Sequence, residues 1–134
     1  MHLFRKATIQ DLAAVYELKQ SAVQCPYPGM SWSAAYPSEE IFRSDIESGS
    51  LYLLLSESGQ LLGAVSINET YDKNYLSVKW ETPEPALYMH RLFIEPHRRG
   101  ERLGETVVAF AEKEARDRGF QSIRFDSHTS NLPA

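Results

Sequence analysis

Between Pro96 and Gly104 the chain reads PHRRGERLG, with His97, Arg98, Arg99 and Arg102 inside six positions. A short apolar strand, Leu92-Phe93-Ile94, runs into this turn, and a helix is predicted to begin near Leu103. The first backbone N–H groups of a helix have no intrahelical acceptor and carry the positive end of the helix dipole. Basic side chains and a glycine set against such a helix start suit a small anion of the pyrophosphate kind. The same residues also fit a strand-to-helix corner whose arginines are simply solvated. Other nucleotide motifs are absent: no G-x-x-x-x-G-K-(S/T) run occurs, and no G-x-G-x-x-G follows the first strand.

The whole chain bounds that chemistry. Its 134 residues make one domain with room for a core, and 43% hydrophobic against 24% charged residues is an ordinary globular balance. A net charge of −4 gives no reason to expect a nucleic-acid partner, so the local cation cluster points to a small anionic ligand. Cys25 is the single cysteine, so no intrachain disulfide can form, which favours a reducing compartment. MHLFRKATIQDL lacks an apolar signal core and no run reaches membrane-spanning length. The expectation is a cytoplasmic protein with no membrane partner.

The elements that must carry the turn follow from periodicity. His2 to Ala7 reads as a first strand, and Thr8 as an N-cap with Asp11 in capping-box position. The helix behind it is expected to bury Ile9, Leu12, Ala13 and Tyr16, with Val15 and Leu18 alongside. An aromatic loop from about Gln24 to Pro37 precedes a second helix opened by Pro37-Ser38-Glu39-Glu40 and stopped at Gly49. Leu51–Leu55 and Leu61–Ile67 form a hairpin around Glu57-Ser58-Gly59-Gln60. Tyr75–Trp80 alternates enough to extend the sheet, and Leu87–Ile94 is the next strand. Leu103, Val107, Phe110, Ala111 and Ala115 form one stripe of a helix ended by Gly119, and Phe120–Ser127 is a final strand. The order β-α-α-β-β-β-α-β defines an α/β (α+β) domain with a mixed sheet.

These residues resemble the signature of the GNAT N-acetyltransferases, Pro-x-x-(Gln/Arg)-x-x-Gly-x-(Gly/Ala). Pro96, Arg99 and Gly104 fall on that pattern, and Arg102 stands where the first motif glycine is usual. The resemblance extends to FRKATIQDL, Trp32…Tyr36-Pro37…Asp45-Ile46, the 51–67 hairpin, His90-Arg91-Leu92-Phe93-Ile94, and Asn131 in SHTSNLPA. It implies a mixed, mainly antiparallel central sheet flanked by helices, forming one domain over residues 1–134. The chain stops just after Asn131, without the further helix and strands that the family carries, so a C-terminally truncated form is expected, with a partner chain covering the sheet edge as the alternative. That helix often brings the tyrosine that protonates the leaving thiolate.

The resemblance also implies a reaction: transfer of an acetyl group from acetyl-CoA directly to a primary amine of a small molecule or peptide, with no metal. The backbone of Leu92, Phe93 and Ile94 would pair with the pantetheine arm. The turn formed by Arg99, Gly100, Glu101, Arg102, Leu103 and Gly104 would hold the pyrophosphate, and Asn131 would reach the cofactor. A general base must lie near the amine with a pKa close to working pH; His90 and Glu81 are the candidates, with His128 at the pocket rim. His90 also suits a sheet histidine satisfied by its neighbours, and Glu81 a solvated loop carboxylate. Cys25 could serve as a nucleophile, but a single cysteine reads more readily as structural. Tyr27, Trp32 and Tyr36 would form the acceptor side, or cover an edge of the core. Family members often form homodimers, although no segment here specifies an interface. A non-catalytic acyl-CoA-binding or regulatory domain of the same fold is the alternative, and a ligand-free structural domain the third reading.

Overall fold

The computed structural model describes residues 2–25, 32–68, 87–98, 101–120 and 123–125. Strands β1 (His2–Lys6), β2 (Leu51–Ser56), β3 (Leu61–Asn68), β4 (Leu87–Ile94) and β5 (Ile123–Phe125) lie side by side in chain order. The first four are antiparallel and β5 runs parallel to β4. Helices α1 (Leu12–Gln24) and α2 (Glu39–Glu47) cover one face, and α3 (Leu103–Asp117) covers the other. This is the expected order and the expected mixed sheet. The Tyr75–Trp80 segment lies outside the described residues.

The central strands are apolar on both faces because both faces are covered. Leu51–Leu55 and Leu62–Ile67 are buried without a break. Toward α3 the sheet presents Leu54, Leu62, Val65, Ile67, Leu87, Met89, Leu92 and Ile94 to Leu103, Val107, Ala111 and Ala115. Toward α1 and α2 it presents Leu51, Leu53, Leu55, Ala64 and Phe93 to Leu12, Val15, Ala22, Phe42 and Ile46. Each fully buried aliphatic side chain contributes roughly 1.5–3 kcal/mol relative to exposure.

Capping chemistry sets the helix starts. The Asp11 carboxylate accepts the Thr8 N–H at 2.7 Å and is gripped by Arg5 at 3.0 Å. That pair, with its hydrogen bonds, holds the Asp11 carboxyl below the usual carboxylate range. Ser38 caps α2, its Oγ accepting the Ile41 N–H at 3.3 Å, with Glu39 and Glu40 in the favourable first turn.

The phase of α1 differs from expectation. A short 3-10 turn (Ile9–Asp11) delays the helix to Leu12, leaving Ile9 48% exposed and Ala13 at the surface. The buried positions are Leu12, Val15, Lys19 and Ala22. That spacing is a clean helical stripe, but its third member is a lysine, which hid it from a count of apolar residues.

Candidate active site

β4 is the strand on which the site is built, and it carries a bulge. Ala64 pairs with Phe93 while Ser66 pairs with His90, so Val65 faces both Arg91 and Leu92. The extra residue is Arg91, at φ 55°, in a left-handed conformation that costs a non-glycine residue about 1–2 kcal/mol. The insertion reverses the strand's alternation. Leu87 and Met89 face α3, and without the bulge Arg91 would too; instead Leu92 and Ile94 take up that face and Phe93 turns toward α1 and α2.

The Arg91 guanidinium reaches α2. Its Nε donates to Asp45 Oδ2 at 2.8 Å and its Nη2 to Asp45 Oδ1 at 2.7 Å. Ser66 Oγ, at 2.6 Å, donates to the same Oδ2. Asp45 is 7% exposed and Ser66 fully buried, so this is a desolvated, charge-assisted network. His90 is nearly as buried, and its ring stacks on Tyr88 with centroids 6.4 Å apart.

Beyond Met89 the outer side of β4 has no strand partner among the described residues, since β5 pairs with Leu87, Tyr88 and Met89. Among the described residues no strand lies beside Leu92, Phe93 and Ile94 on that side, an arrangement that an extended ligand arm can join. Pro96–Arg98 form a 3-10 turn after the strand, and α3 begins at Leu103. Its N-cap is Arg102, at φ 61° and ψ 30°. The left-handed conformation is one that glycine adopts at no cost, which gives the motif position a backbone reason beyond close approach to phosphate. The Arg102 side chain is 77% exposed and points away with Glu105, while Glu101 is tied to Arg98 at 2.8 Å. Both acidic side chains thus face solvent or a cation. Gly104 sits in the first turn of α3, where amides lack intrahelical acceptors.

The segment ahead of α2 is fastened by a hydrogen-bonded clamp. Ser33 and Tyr36 close a tight turn through reciprocal backbone bonds of 2.9 and 3.2 Å. The Ala34 carbonyl at its tip accepts from Lys19 Nζ at 3.1 Å, Gln20 Nε2 at 3.2 Å and Tyr16 Oη at 3.5 Å. Trp32 packs edge-on against Phe93, with ring centroids 5.5 Å apart, and Phe42 meets the same ring at 5.8 Å. Tyr36 is exposed. The structure thus brings Trp32 to the Phe93 side of β4.

Lys19 is completely buried, and desolvation pushes its ammonium below the ordinary lysine value of 10.5. The unfolded chain then binds more protons than the native one between that depressed value and 10.5, so the Lys19 contribution to stability rises with pH across this window. Lys19→Met, which leaves Gln20 and Tyr16 on Ala34, is expected to remove that rise. Denaturant unfolding of both proteins from pH 7 to about 10.5 checks this; parallel pH profiles would contradict it.

Tyr27, Glu81, Arg99, Gly100 and Asn131 lie outside the described residues, as does His128. The hydrogen-bonded network of Asp45, Ser66 and Arg91 is not among the sequence-based expectations. The available signals were an aspartate in the apolar stripe Phe42-Asp45-Ile46 and a lone arginine in an apolar strand.

The comparisons agree with this fold. The family model described as "Acetyltransferase (GNAT) family" matches residues 13–134. The chain belongs to the GNAT acetyltransferases. It is similar to a GNAT-family acetyltransferase from Listeria monocytogenes, at 25% identity and TM-score 0.74, covering 96% of this chain and 80% of that one. A GNAT acetyltransferase from Brucella melitensis, solved with acetyl-CoA, shares 17% identity at TM-score 0.62, covering 92% and 73%. AAC(6')-Iy, solved with the bisubstrate analogue CoA-S-monomethyl-acetylneamine, shares 14% identity at TM-score 0.61, covering 98% and 82%. No curated protein sequence matches the chain.

Proposed function

We propose that this protein is an N-acetyltransferase that uses acetyl-CoA to acetylate a primary amine of a small molecule or peptide. The observation that carries the reading is the bulged β4, whose Leu92–Ile94 segment has no strand beside it among the described residues and is followed by the Pro96–Arg98 turn and the first turn of α3. An extended pantetheine arm fits the strand edge and a pyrophosphate fits the helix start. Acetyl-CoA in the Brucella melitensis neighbour and the acetylneamine portion of the analogue in AAC(6')-Iy support the donor and the amine class.

In the proposed reaction the neutral amine attacks the thioester carbonyl. The C–N bond forms, the C–S bond breaks, the amine proton leaves to a base, and the CoA thiolate takes up a proton. A strand N–H near Leu92 would stabilise the developing oxyanion. His90, buried on β4 two residues before Leu92, is the proposed base, acting directly or through water, with Glu81 as the second candidate. Trp32 and Tyr36 would form part of the acceptor wall, and the protein would act in the cytoplasm.

The test follows acetyl-CoA consumption and acetylated product by mass across polyamines, aminoglycosides, amino acids and peptide N-termini. At least one amine is expected to be acetylated. His90→Ala is expected to lower kcat at least tenfold, about 1.4 kcal/mol of transition-state stabilisation. Acetyl-CoA binding with no acetylated amine would favour the non-catalytic acyl-CoA-binding reading. Unchanged kcat in His90→Ala would remove that residue from the mechanism.

A further inference from the structure

We propose that Asp45 is a positioning residue for acetyl transfer: through Arg91 and Ser66 it holds the β4 bulge that aims the Leu92–Ile94 backbone at the bound thioester. This rests on the acetyl-transfer reading above.

The placement of Asp45 is costly on helix grounds. It stands in the last turn of α2, beside the negative end of the helix dipole, and it is 7% exposed. A buried carboxylate persists only when paired and hydrogen-bonded. Asp45 meets that need with Ser66 Oγ at 2.6 Å and the two Arg91 nitrogens at 2.8 and 2.7 Å. These donors are placed around a single irregularity. Ser66 is the β3 residue paired with His90, the last regular pair before the bulge, and Arg91 is the inserted residue itself. One carboxylate on α2 thus pins both strands where their ladder is interrupted. The Asp45 carbonyl also accepts the Ser50 N–H at 2.8 Å, fixing the end of α2 to the start of β2.

Arg91 has a left-handed backbone that its own residue type disfavours. The paired guanidinium supplies the compensating interaction. Without it, β4 can relax toward regular pairing, and a one-residue slip would turn Leu92, Phe93 and Ile94 to the wrong faces. The hydrogen bonds of this network run between α2, β3 and β4 and do not include the first turn of α3. The loss should therefore fall on the chemical step more than on cofactor binding.

The test uses Asp45→Asn, Asp45→Asn/Arg91→Gly and Ser66→Ala, each with melting temperature, kcat, KM for acetyl-CoA and amide hydrogen exchange by NMR. In Asp45→Asn, exchange at Leu92–Ile94 is expected to accelerate at least tenfold while α3 keeps its protection. kcat should fall at least tenfold, with KM for acetyl-CoA rising by a smaller factor than kcat falls. The double variant is expected to recover kcat at least threefold, because glycine adopts the left-handed backbone unaided and no guanidinium is left unpaired. Should Asp45→Asn not fold, Ser66→Ala, which removes one of the hydrogen bonds, is expected to show the same pattern at smaller size. Unchanged exchange at Leu92–Ile94 overturns the proposal. So does a lower melting temperature with wild-type kcat, which is a purely structural role, or a double variant with no recovery. If the wild-type chain acetylates no amine, the acetyl-transfer reading fails, while the exchange comparison still reports whether Asp45 holds the bulge.

Discussion

Gly63→Ala is expected to destabilise the protein by about 2–3 kcal/mol, at the upper end of the range for overpacked cores. Gly63 lies on β3 opposite Ile94, and a Cβ there would come 2.7 Å from the Phe93 carbonyl oxygen and 2.9 Å from Ile94 Cδ1. The first of these atoms is backbone, so no rotamer change relieves the contact and β4 must move. Replacing glycine by alanine in a strand usually gains up to about 1 kcal/mol of backbone entropy. The clash outweighs that gain, because it displaces a central strand buried on both faces. Urea unfolding should show a lower midpoint at unchanged slope, and the melting temperature should fall by roughly 6–10 °C. A wild-type midpoint would mean that β3 and β4 are further apart than described. Acetyl-CoA affinity should fall in parallel, since the displaced residues are those proposed to meet its pantetheine arm.

The parts of this fold that could be read from sequence were those in which local pattern and tertiary environment agree. Leu51–Leu55, the apolar residues of Leu87–Ile94 and the stripe Leu103-Val107-Ala111-Ala115 are buried, and helix ends carry ordinary signals such as Ser38 and Gly49 around α2 and Gly119 after α3. Where a charged residue occupies a core position the pattern misleads. Lys19 completes the buried stripe of α1, and a count of apolar residues alone adds Ile9 and Ala13 to Leu12 and Val15 in its place. The bulge was hidden for a related reason. A left-handed arginine has no sequence signature, and the carboxylate that holds Arg91 lies 46 positions away. Arg102 shows the reverse. The motif marked its position as a glycine site, and the left-handed N-cap supplies a conformational reason for that preference.

The second large effect concerns Gly104. It lies in the first turn of α3, where amides lacking intrahelical partners are proposed to meet the pyrophosphate, and a β-branched side chain there would screen them. Valine is a somewhat better helix residue than glycine, so Gly104→Val should fold at least as well as wild type. Any loss of affinity can then be assigned to the anion site rather than to unfolding.

The most direct test of the central claim, that acetyl-CoA binds along β4 and onto the start of α3, is calorimetric titration of acetyl-CoA into the wild-type chain and into Gly104→Val. Saturable binding by wild type, weakened at least tenfold or about 1.4 kcal/mol in a fully folded Gly104→Val, is the expected result. Equal affinity in the two proteins, or no binding by a folded wild-type chain, would contradict it.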